Sequence, residues 1–168
     1  SSKDLEDFFR DNKNWPKIDR LQKKIENQKT LVSFENSLNW YQENPPISPI
    51  AKIKLSEMMI NNKFIEEGKW ILKNAWINSS FSYSEEKYII NNFKNLITSN
   101  DNVKRLENLI WKKQWVSANR QLKRVPNDVK LLSLLTFSII LLLIDVSTHS
   151  FPETDNILNF LFNFNNFF

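Results

Sequence analysis

The chain has 168 residues with one glycine, six prolines, no cysteine and a net charge of +4, a length that suffices for a domain with a real core. The absence of cysteine excludes disulfides, thiolate zinc sites and cysteine nucleophiles. A single glycine excludes a glycine-rich phosphate loop and argues against a sheet protein built on tight turns.

Leu5 opens the first expected helix, LEDFFRDN, with Leu5, Phe8 and Phe9 on one face. Trp15-Pro16 is expected to start the second, because proline lacks a donor that the first helical position does not need. Ile18, Leu21 and Ile25 give that helix its apolar stripe, and Phe34, Leu38 and Tyr41 do the same for a third helix over residues 31–43. NPPISP, residues 44–49, is a break and a re-entry, with Ser48 as the cap and Pro49 just inside. A helix to Asn61, a polar turn and a helix from Phe64 to Ile77 follow. Ser84 is the expected cap of the next helix, which runs to Thr98. Its Glu85 and Glu86, like Glu66 and Glu67 earlier, read as solvated residues favoured by the helix dipole. Asp101 is the expected cap where the chain restarts, and two last helices follow over residues 102–112 and 115–124, ending before Pro126.

MMINNKFIEEGKWIL and LIWKKQWVSANRQL share a layout at a separation of 51 residues, which pairs Leu55 with Leu106, Ile60 with Trp111, Phe64 with Trp115 and Gly68 with Asn119. Helix, tight polar turn and helix are thus used twice. Short antiparallel helix pairs of this kind stack into an α-solenoid, so the expected fold is all-α, a TPR-like superhelix. In the second copy Ala118 supplies the small side chain that lets paired helices approach. Trp70, Trp76, Trp111 and Trp115 fall on apolar stripes and are expected to be buried; Trp15 and Trp40 are expected to pack as well. Stacking on sugar rings is the alternative use of such rings.

The order of segments LEDFFRDNKNWP, NPPISPIAKIKLSEMMINNKFIEEGKWILKNAW, INSSFSYSEEKYIINNFKNLIT and NVKRLENLIWKKQWVSANRQLKRVP resembles the N-terminal superhelical region of bacterial soluble lytic murein transglycosylases over about residues 1–130. The resemblance implies a periplasmic protein, with peptidoglycan glycan strands as its partner. In that family a C-terminal lysozyme-like domain cleaves the strands to 1,6-anhydro products, with one glutamate serving as acid and then base. The helical region is its platform. The catalytic E-S, G-L-M-Q and A-Y-N motifs of the family are missing: no Glu precedes a Ser, and the only glycine is Gly68. The expected function is therefore the non-catalytic superhelical part of such an enzyme, inactive without its catalytic domain. The alternative is a free-standing helical-repeat scaffold that binds another protein.

Lys112, Lys113, Arg120, Lys123 and Arg124 cluster near one helix pair and are the candidate glycan-facing residues, since stem-peptide carboxylates would be attracted to a basic face. An ordinary solvated face is the plainer reading. Nucleic acid would be attracted equally, but no motif for it is present. No catalytic, cofactor or metal residue is expected; the sole histidine, His149, has no ligand spacing around it.

Residues 131–168 differ in character. All 23 Lys and Arg lie in residues 1–130 against 16 acids, a net +7, whereas residues 131–168 hold no base, three acids and seven of the thirteen phenylalanines. The apolar run from Leu131 has 14 residues before Asp145, short of the roughly 20 that span a bilayer, so no transmembrane segment is expected. A buried helix, a membrane-associated segment and an out-of-frame or truncated reading are the three explanations. The break in composition where the resemblance ends favours the last.

Overall fold

The computed structural model describes residues 2–29, 34–133 and 135, and those residues are all-helical, with no strand among them. The helices are α1 (Ser2–Asp11), α2 (Ile18–Lys29), α3 (Phe34–Glu43), α4 (Pro49–Asn61), α5 (Ile65–Asn78), α6 (Tyr83–Phe93), α7 (Ser99–Trp111) and α8 (Trp115–Leu122). A further helical run covers residues 127–133. The apolar tail beyond residue 135, with His149 and Asp145, lies outside the described residues. The chain forms two compact units, Ser1–Ala75 and Trp76–Phe168.

In the first unit, Phe9 and Ile25 are buried, and Phe9 packs on Trp40 with ring centroids 5.4 Å apart. Tyr41, Ala51 and Leu55 make a small core with Trp40, Met59 and Ile71 against it. Glu26 is fully buried, and its two oxygens accept the N–H groups of Ile47 at 2.7 Å and Ser48 at 2.9 Å. This carboxylate ties α2 to the first turn of α4, where the helix dipole favours negative charge. Ser48 caps α4 by accepting from the Ala51 N–H, with Pro49 just inside, as the sequence led us to expect. The second helix begins later than expected. Trp15 and Pro16 form a turn, which Lys17 closes in the left-handed region at φ 65°.

In the second unit, Leu106, Leu109, Ile110, Trp115, Ala118, Leu122 and Val125 form the core. Two caps fall elsewhere than expected. Ser82, not Ser84, caps α6 in a capping box with Glu85. Thr98, not Asp101, caps α7, and Asp101 supplies the returning side chain of that box. Both follow the spacing of a hydroxyl residue three places before an acid, which satisfies two end N–H groups reciprocally. Accordingly α6 stops at Phe93 and a turn precedes Thr98.

The repeated hairpin is real, but its register is 50 residues, not 51. The caps Ser48 and Thr98, the helix ends Asn61 and Trp111, and the second helix starts Ile65 and Trp115 all differ by 50. The turn bonds repeat at the same interval. Lys63 N–H donates to the Ile60 carbonyl and Phe64 N–H to Met59; Lys113 N–H donates to Ile110 and Gln114 N–H to Leu109. This is a Schellman ending, in which the residue after the cap is left-handed. Lys63 (φ 72°) and Lys113 (φ 55°) occupy that place in the two copies. The next helix begins at once, with Gly68 N–H bonded to the Phe64 carbonyl and Ala118 N–H to that of Gln114.

One residue of register turns a helix face by about 100°. The corrected register pairs Gly68 with Ala118, so the small position recurs in both copies. At Gly68 the approach is close. Its carbonyl accepts from Ser56 Oγ at 2.8 Å, and a Cβ there would lie 2.6 Å from Ile60 Cγ1. The same correction pairs Trp111 with Asn61, both exposed.

Candidate functional site

The second unit is built around a buried charge cluster. Glu86 on α6 is fully buried, not the solvated dipole residue its position at a helix start suggested. Arg120 grips it as a fork, Nε to Oε2 at 2.9 Å and Nη2 to Oε1 at 3.1 Å. Arg105 on α7 reaches Oε1 with Nη2 at 3.2 Å, and Arg124 Nη1 stands 3.6 Å from Oε2. One carboxylate thus joins α6, α7 and the end of α8.

Arg105 is as buried as Glu86. Its Nη1 donates to the carbonyl oxygens of Trp76 and, at 2.7 Å, Ser79. These groups lie at and just beyond the end of α5, where carbonyls lack helical partners. Its guanidinium also stacks over the Trp76 ring, 4.1 Å from the centroid, and lies 5.2 Å from that of Phe81. An aromatic face attracts a desolvated cation. Burial pushes the Arg105 guanidinium down to about 10, with Glu86 opposing and Arg124 and Arg120 adding to the fall. Arg124 is lowered too, by burial first, with Glu86 again opposing and Arg120 adding to the fall.

The five basic residues singled out by sequence are therefore of two kinds. Arg120 and Arg124 converge on Glu86, each with its side chain 24% exposed. Lys112, Lys113 and Lys123 are exposed. Lys112 Nζ donates to the Asn78 carbonyl at 2.7 Å, and Lys113 sits in the left-handed turn. Beside Lys112, Asn108 Nδ2 donates to Asn78 Oδ1 at 2.9 Å.

The tryptophans divide as well. Trp76 and Trp115 are buried as expected, but Trp70 and Trp111 are 68% and 72% exposed, so their placement on an apolar stripe is overturned. Trp15 is also largely exposed, with its ring edge-on to Phe8 at 5.4 Å. Trp111 is the last residue of α7 and directly precedes Lys112. Glu86 and Arg105 are the important residues that sequence reasoning missed. The pattern places Arg105 where the first hairpin has Leu55, a core position that no local signal marks as cationic.

No group of three or more potential metal-ligating side chains occurs among the described residues. No helix among them is long and apolar enough to cross a membrane. Compared with known protein families, with characterised proteins and with solved structures, the chain matches none.

Proposed function

We propose that the chain is the non-catalytic helical-repeat part of a periplasmic lytic transglycosylase, a platform that holds glycan strands for a separate lysozyme-like domain. The finer fold in this reading is a TPR-like superhelix of stacked helix pairs. The observation that carries it is the hairpin repeated at 50 residues, cap for cap and bond for bond, in a chain whose segments resemble that family's superhelical region. Stacked repeats offer an extended surface rather than a single pocket. The exposed ring of Trp111 and the lysines Lys112 and Lys113 are the groups the second unit presents to sugars and stem carboxylates.

Both fully buried glutamates support a non-catalytic role. The oxygens of Glu26 and Glu86 are taken up by backbone amides and guanidiniums, away from solvent, whereas a general acid must reach its substrate. The test is co-sedimentation of the chain with purified sacculi over a salt series, with the supernatant assayed for muropeptides. Binding at low salt that fades as salt rises, without muropeptide release, is the expected result. Release of soluble muropeptides, or no binding at any salt, sinks the proposal.

A second reading has its own observation. Val116, Leu131, Leu132 and Leu135 are exposed in the second unit, which suits a protein partner better than a glycan. A free-standing scaffold would capture one specific protein and ignore sacculi.

A further inference from the structure

The Glu86 cluster is unbalanced: three guanidiniums meet one carboxylate, a net +2. Glu86 is the only carboxylate among the described residues that bonds to Arg105, Arg120 or Arg124, and both its oxygens are already used. Donors remain. Arg105 Nε is buried without an acceptor. Arg120 uses Nε and Nη2, toward Glu86, the Phe81 carbonyl and Ser117 Oγ. Arg124 uses Nη1, toward the Arg120 carbonyl and Gln121 Oε1. Arg120 Nη1 and Arg124 Nε and Nη2 meet no acceptor among the described residues, and both side chains reach solvent.

We propose that Arg120 and Arg124 form a binding site for one oxyanion, a carboxylate or a phosphate group, at the solvent edge of the Glu86 cluster. Neighbouring guanidiniums repel, and partial burial denies them full hydration. An oxyanion between them offsets both costs and takes the fork-shaped bonds that guanidinium makes with planar and tetrahedral oxyanions. Water alone would fill the donors but leave the charge. The site stands whether or not the glycan reading holds: a stem-peptide carboxylate is one source of the anion, a phosphate the other.

The experiment is an NMR titration of the full chain, following the arginine Nε–H signals, with sodium phosphate in one arm and N-acetyl-D-alanine in the other. Sodium chloride holds ionic strength constant. A saturable shift of the Arg124 signal is expected in at least one arm, and the arm that saturates names the source. Arg124→Gln should weaken that binding about tenfold, the worth of one charged hydrogen bond. Lys24→Gln, at an exposed lysine of α2 in the first unit, should leave it unchanged. If Arg124→Gln does not fold, Arg124→Lys keeps the charge, loses the fork and should still bind several-fold more weakly. No saturable shift in either arm, or binding indifferent to both Arg124 variants, would overturn the proposal.

Discussion

The two units each bury one glutamate completely, and they satisfy it in opposite ways. Glu26 is held by two backbone N–H groups at the start of α4, with Gln22 Nε2 3.2 Å away. Glu86 is held by three arginines from α7, α8 and the turn after α8. The hairpins that follow share caps, turn bonds and left-handed lysines. Backbone instructions are therefore conserved between the copies while core chemistry is not. Short polar signals at caps and turns set the fold, and the space between helices accepts either Leu55 or Arg105 at the same repeat position.

The sharpest break in this comparison is Glu86→Gln, which leaves the three arginines without their carboxylate. It should cost about 3–5 kcal/mol, read by urea unfolding, because buried charges become uncompensated. Glu26→Gln should cost less, about 1–3 kcal/mol, because Gln still offers one acceptor to the two amides. Equal losses would erase the distinction between the units. Next in size is the helix contact. Gly68→Ala should lose about 1–3 kcal/mol, since the new Cβ meets Ile60 and, at 2.9 Å, the Ser56 carbonyl; this outweighs the better helix propensity of alanine. Ala118→Gly, at the matching place, should lose only about 1 kcal/mol through propensity and a lost methyl.

Smaller effects sharpen the likeness between the copies. Lys63→Gly and Lys113→Gly should each stabilise by about 0.5–1 kcal/mol in thermal melts, because glycine enters the left-handed region without the Cβ clash. A gain in one copy and a loss in the other would mean that the turns are not equivalent.

The last effect appears only in alkali. Burial, and then Glu26, raises the Tyr41 hydroxyl above its ordinary value of 10.0. A raised folded value means that the phenol stabilises the fold fully below about pH 10 and loses that contribution as pH climbs further. Arg105, lowered from 12.5 to about 10, has the opposite sign: its buried charge costs the fold at neutral pH, and that cost is relieved as pH rises above about 10. Tyr41→Phe should therefore flatten the fall of stability above pH 10. An unchanged slope would place the alkaline loss elsewhere.

Much of the backbone was legible in sequence. Ser48-Pro49 announced α4, and the breaks at NPPISP and before Pro126 fell where the helices stop. The capping boxes at Ser82 and Thr98 were legible too, but only to the spacing of hydroxyl and acid; the nearer Ser84 and Asp101 hid them. The register slipped because matching Ile60 to Trp111 by apolar character favoured 51 residues, whereas the turn bonds require 50. That slip moved Gly68 off Ala118, and apolar character alone likewise put Trp111 on a buried face. The charge cluster was not legible at all. Arg120 and Arg124 lie 34 and 38 positions beyond Glu86, and nothing local distinguishes a cation on a solvated face from one drawn inward by a distant carboxylate.

The most direct test of one hairpin plan serving two cores is a double-mutant cycle on Glu86→Gln and Arg120→Gln, measured by urea unfolding. The predicted result is a coupling of about 1–3 kcal/mol, with the double mutant losing less than the sum of the single losses. Additivity within about 0.5 kcal/mol would contradict it, because the fork between α6 and α8 would then contribute nothing that its two side chains do not contribute separately.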